Sequence, residues 1–86
     1  MVEGVARISN PTGLHARSAS QFTHFTNKFK CKIHFVQDDV ISNAKSILNV
    51  LVLGLEQGMD VTVRVDGPNE KNVLKEVINY IETLED

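Results

Sequence analysis

Eighty-six residues, 42% hydrophobic and 23% charged, are expected to make one folded domain over 1–86, with room for a single core. A net charge of −2 and a pI near 5.9 argue against a general nucleic-acid footprint. The longest unbroken apolar run, Val50 to Leu53, is too short to cross a bilayer, no charged-then-apolar leader is evident, and the lone Cys31 cannot form an internal disulfide; a cytoplasmic chain is expected.

Val2 to Ile8 reads as a first strand, ended by the loop formers Ser9-Asn10-Pro11-Thr12-Gly13. From Ala16 to Phe29, Ala19, Phe22, Thr26 and Phe29 recur at three- and four-residue steps and mark the buried face of a helix. Ile33 and Phe35 alternate through Lys32 to Val36, a second strand, and Asp38-Asp39 turns the chain tightly into Val40-Ile41. Ser46 opens a short apolar helix that stops near Gly54 or Gly58. Val61, Val63 and Val65 alternate with Thr62 and Arg64, giving a strand with one wet face. Asp66-Gly67-Pro68-Asn69 is a turn and cap, after which Val73, Val77, Ile78, Ile81 and Leu84 fall at helical spacing. The order strand, helix, strand, strand, helix, strand, helix predicts an α+β two-layer sandwich with three helices on one face of a mixed or antiparallel sheet.

Two stretches carry chemistry. In Thr12-Gly13-Leu14-His15-Ala16-Arg17-Ser18 a histidine stands at the expected start of a helix, with an arginine two positions on. The free N–H groups of a first turn favour negative charge, so a phosphoryl group on that histidine is accommodated. The same field disfavours an imidazolium and leaves the ring a neutral nucleophile. Arg17 is the residue type that pairs best with phosphate oxygens. Ser18-Ala19-Ser20-Gln21 also has capping-box spacing, so a helix starting one turn later, with Ser18 as cap, would deprive His15 of its amides.

In Ser46 to Leu55, seven of ten residues are large and apolar and fall on every side of a helix. A domain this small buries one stripe of such a helix, so members of the set Ile47, Leu48 and Leu51 are expected in water as a partner surface. The alternative is a helix sunk into the core. Ser46 itself suits the N-cap. His24 belongs on the exposed face of the first helix, solvated or touching partners, and His34 is expected to point off the sheet into solvent. The three histidines and Cys31 lack metal-ligand spacing, so no metal is expected, and Cys31 reads as a small hydrophobe. Asp38, Asp39 and Asp66 read as turn formers rather than a carboxylate pair. Gly54-x-x-x-Gly58 lacks the lysine and hydroxyl of a nucleotide loop, and no cofactor is expected.

Thr-Gly-Leu-His-Ala-Arg at 12–17, Asn-Ala-Lys-Ser-Ile at 43–47, and Gly54 followed by Gly58 together resemble, in order and spacing, the HPr family of histidine-containing phosphocarriers of the bacterial phosphoenolpyruvate-dependent sugar phosphotransferase system. The resemblance covers the whole chain and implies a four-stranded antiparallel sheet under three helices, βαββαβα. It implies that the chain is a carrier rather than an enzyme. His15 would accept a phosphoryl group at Nδ1 from enzyme I and pass it to enzyme II components, with Arg17 neutralising the added charge. Ser46 would be the regulatory site of an HPr kinase/phosphorylase, and its modification would promote binding to a catabolite-control repressor. Ile47, Leu48, Leu51, Ser20 and His24 would bind these partners, with no nucleic acid, no membrane insertion and a monomer sufficient. The family usually has proline after the arginine, where this chain has Ser18. That departure leaves two alternatives: a regulatory paralogue acting through Ser46 with little transfer through His15, and an unrelated small α+β interaction module. Some regulatory relatives replace the histidine; this chain keeps it.

Overall fold

The computed structural model describes residues 1–85. Its elements follow the expected order: β1 (Val2–Arg7), α1 (Ala16–Thr26), β2 (Lys32–Gln37), β3 (Val40–Asn43), α2 (Ile47–Val52), β4 (Asp60–Asp66) and α3 (Glu70–Glu82). The four strands form one sheet in the order β1-β4-β2-β3, antiparallel at every pairing. No helix among the described residues is long and apolar enough to cross a membrane.

The period-two pattern fixes which face of the sheet the helices cover. Val61, Val63 and Val65 are buried, and their partners Ala6, Phe35 and Ile33 are buried beside them. Phe22 of α1 stacks on Phe35 of β2 at 5.4 Å between ring centroids, and Tyr80 of α3 packs on Phe25 at 4.4 Å. These aromatic pairs weld α1 and α3 to the sheet through one apolar cluster. Phe29 lies past the end of α1 rather than within it, half-buried, because the helix stops at Thr26. The opposite face is bare and carries Glu3, Arg64 and His34 in one cross-strand row. His34 on that face is half-buried rather than fully in solvent, since it stands between Arg64 and Asn43 on neighbouring strands.

Loop chemistry agrees with the sequence in most places. Asp38 and Asp39 both have positive φ (47° and 68°), the backbone of a two-residue hairpin turn. Gly54, at φ 59°, ends α2 in the left-handed conformation, as its sequence position suggests. Asn69 does take the N-cap position of α3, but at φ 59° and without a side-chain cap bond. Glu70 fastens the preceding turn instead: its carboxylate accepts from the Gly67 N–H at 3.2 Å.

The terminal ammonium of Met1 lies 2.9 Å from the same carboxylate, and these two donors hold Glu70 below the usual carboxylate range. A lowered carboxyl stabilises the fold above its unfolded pKa, and that contribution disappears as pH falls through the folded value. Glu70→Gln is therefore expected to lower Tm slightly at neutral pH and to match the parent in strong acid. Thermal denaturation across pH 2–7 checks this; a deficit that persists undiminished in acid would show that the charge is not responsible.

Gly13 is the tightest backbone position. It sits at φ 64°, and a Cβ there would lie 2.2 Å from the Leu55 carbonyl oxygen and 2.9 Å from the Glu56 Cα. Gly13→Ala is expected to cost about 2–4 kcal/mol, by adding a backbone clash to the left-handed penalty. The readout is the urea midpoint; a midpoint unchanged from the parent would contradict the packing described.

Candidate functional site

The segment before α1 is pinned to the loop after α2. Leu14 N–H donates to Leu55 O at 3.0 Å, Gly58 N–H donates to Ile8 O at 2.7 Å, and Asn10 Nδ2 donates to Gly13 O at 2.9 Å. With Leu14 buried, the next residue is forced outward, and His15 becomes the N-cap of α1 in an extended conformation, exposed. The first ladder bond is Ala19 N–H to His15 O at 2.7 Å. The N–H groups of Ala16, Arg17 and Ser18 therefore precede the ladder at the positive end of the helix, beside the imidazole.

Ser18 does not start the helix. It occupies the third helical position, where its hydroxyl accepts from the His15 N–H at 3.1 Å and donates to Gly13 O at 3.1 Å. The imidazole approaches the Ser18 N–H in return, without a formed side-chain hydrogen bond. The Ser18-to-Gln21 capping box does not form: His15 is the cap, Ser18 is the residue three on that reaches back, and His15 keeps its amides. Ser18 is only 5% exposed, so its hydroxyl fastens the turn that carries His15. Ser18→Ala would leave the His15 N–H and Gly13 carbonyl without that partner, for an expected loss of about 1–2 kcal/mol. Chemical denaturation measures this, and an unchanged midpoint would show that the hydroxyl holds nothing.

His15, Arg17, Ser18 and Gln21 line a small cleft of about 40 Å³ with Glu85 from the far end of the chain. Arg17 is exposed, and no carboxylate lies within ion-pair distance of it among the described residues.

The second half of the site comes from the far end of α1. Thr26 Oγ1 donates to Ala44 O at 2.9 Å, and Asn27 Nδ2 donates to Lys45 O at 3.0 Å. These bonds deliver Ser46 and α2 to the flank of α1. Ser46 is the N-cap of α2: its hydroxyl accepts from the Asn49 N–H at 3.4 Å and from Asn49 Nδ2 at 3.0 Å. Ser20 and His24 then face Ser46, Ile47 and Leu48 across a hollow of about 510 Å³. In α2 only Val50 is fully buried, while Ile47 is 41% and Leu48 74% exposed, so the sunken-helix alternative does not hold. Leu51 is half-buried against the core and does not line the hollow.

Sequence reasoning missed Val52, which is 80% exposed one turn beyond Leu48 and extends the same apolar surface. It also missed Gln21, which lines the His15 cleft and borders the α1 surface beside His24. No group of three or more metal-ligating side chains exists among the described residues.

Residues 2–83 match the family model described as "PTS HPr component phosphorylation site". The chain is 33% identical to the phosphocarrier protein HPr of Buchnera aphidicola subsp. Acyrthosiphon pisum, over 99% of this chain and 100% of that one. It is equally 33% identical to the HPr-like protein Crh of Halalkalibacterium halodurans, over 95% and 98% of the two chains. A crystal structure of HPr from Thermoanaerobacter tengcongensis superposes with a TM-score of 0.89 at 37% identity, covering 96% of this chain and 93% of that one.

Proposed function

The chain belongs to the HPr family of phosphocarriers of the sugar phosphotransferase system, and we propose that His15 is the residue on which it carries the phosphoryl group. The observation that supports this most is the position of His15: an exposed ring at the cap of α1, beside N–H groups outside the helical ladder.

Transfer needs little from the protein beyond position and charge. A ring nitrogen of His15, Nδ1 by family resemblance, attacks the phosphorus of a phosphohistidine on enzyme I in line. The new N–P bond forms as the donor's N–P bond breaks, and the donor imidazole departs with the electron pair. The phosphoryl oxygens then meet the first-turn N–H groups and the Arg17 guanidinium. The second transfer, to a sugar-specific enzyme II component, runs the same exchange with His15 as the leaving group. Ile47, Leu48, Ser20 and His24 make the docking surface, and Leu51 supports it from beneath. Such relays take place in the cytoplasm through small, transient interfaces.

Ser46 is the regulatory site in this reading. A phosphate there would sit at the cap of α2, beside Ile47 and Leu48, and would set like charge against an acidic partner. A second reading rests on the similarity to Crh and on Ser18: regulation through Ser46 with little transfer through His15.

Incubation with enzyme I and phosphoenolpyruvate separates the two. An acid-labile, alkali-stable phosphate on the chain is expected. No label from enzyme I, together with labelling of Ser46 by the ATP-dependent kinase, would establish the regulatory reading instead.

A further inference from the structure

Beyond α1 the sequence bunches its positive charge. Lys30, Lys32 and Lys45, with His34 and Asn43, line a cleft of about 390 Å³ at the start of β2 and the end of β3. No carboxylate lines it. Elsewhere three cations are neutralised locally, Arg7 by Asp60, Arg64 by Glu3, and the Met1 ammonium by Glu70 and Asp66, while Arg17, among the described residues, stands alone at the α1 cap. Among the described residues, none of the three lysines has a carboxylate within ion-pair distance. In a chain of net charge −2, this is a concentrated positive recess, with Asp66, opposite Lys32 on β4, outside its lining.

The recess is partly organised in advance. Lys45 Nζ donates to Phe29 O at 2.5 Å, which fixes the ammonium at the cleft and leaves two of its N–H donors over. Asn43 Oδ1 accepts from the Lys45 N–H at 2.9 Å, so its carbonyl is occupied and its amide N–H₂ remains to donate. His34, opposite Asn43 in register, adds a ring N–H. The side chains thus offer donors and positive charge, matching a ligand whose oxygens only accept.

We propose that this cleft binds a small phosphorylated metabolite carrying two or more negative charges. Its volume falls in the range of small-molecule sites. An acidic protein segment fits less well, because such an interface needs roughly 800 Å² per partner and an apolar anchor. The apolar residues here, Cys31 and Ile33, are buried. The site is separate from His15, which lies at the opposite end of α1, about 16 Å of helix away.

The test is a titration of backbone amide shifts at constant ionic strength with inorganic phosphate, pyrophosphate and ribose 5-phosphate. The His15→Ala chain is used, so that the α1 cap is reported by its own amides. Saturable shifts at Lys32, His34 and Asn43 to Lys45 are expected, with pyrophosphate tighter than phosphate. Lys32→Gln and Lys45→Gln should each weaken binding roughly tenfold. Shifts that never saturate, or that ignore both substitutions, would overturn the proposal. Saturation by a glutamate-rich peptide but by none of the phosphates would overturn it in favour of protein docking. None of these outcomes touches the His15 reading, which is measured by label from enzyme I.

Discussion

His15→Ala is expected to abolish phosphoryl transfer from enzyme I while leaving the fold in place. The substitution removes the only proposed nucleophile, so the rate should fall by at least about 10³-fold, to the background of the assay. Stability should change little. His15 is exposed, its formed hydrogen bonds are made by the backbone, its carbonyl accepting from Ala19 at 2.7 Å and its N–H donating to Ser18 Oγ, and its imidazole only approaches the Ser18 N–H. Alanine keeps both. A quench-flow measurement of label, paired with a thermal melt, separates loss of chemistry from loss of fold. Substantial transfer in the alanine variant would place the phosphate on another residue.

Leu48→Asp is expected to raise KM for enzyme I about tenfold or more, with kcat much less affected. Leu48 is 74% exposed, so the folded state hardly depends on it, and Tm should stay near the parent value. Its apolar surface adjoins Ile47 and Val52, and a carboxylate in the middle of that patch must be desolvated for a partner to dock. Ile41→Asp is the control, since Ile41 is 56% exposed on β3 and pairs with Val36 on the bare face of the sheet. A rise in KM from Ile41→Asp but not from Leu48→Asp would move the docking surface to the other side of the molecule.

Much of this architecture was legible in the residues. Alternation placed Ile33, Phe35, Val61, Val63 and Val65 on one sheet face, and three- and four-residue spacing placed Ala19, Phe22 and Val77 against them. These signals are strong because side-chain period alone sorts residues onto the faces of a strand or helix. His15 and Ser46 were legible as helix starts because loop formers precede the first and apolar periodicity follows both.

What escaped the sequence has physical causes of its own. Ser18 reads as a cap whether its hydroxyl serves its own turn or the residue three before it, and only the Gly13 and Leu14 tethers decide between them. Val52 follows Leu48 by four residues, so its exposure could have been inferred from Leu48's; the uniform apolarity of the segment masked the face. Val5 and Ile41 are apolar yet exposed because no helix covers their side of the sheet, and alternation cannot say which face is bare. Glu85 reaches the His15 cleft across 70 positions of sequence, a proximity that no local pattern encodes.

The most direct test follows the backbone amides of the ¹⁵N-labelled chain before and after phosphorylation by enzyme I and phosphoenolpyruvate. With the phosphoryl group on His15, the largest shifts are expected at Ala16, Arg17 and Ser18, the N–H groups outside the α1 ladder, and ³¹P coupling should identify the ring nitrogen that holds the phosphorus. A phosphorylated chain whose amides at 16–18 stay in place while those around Ser46 or His24 move would contradict the account.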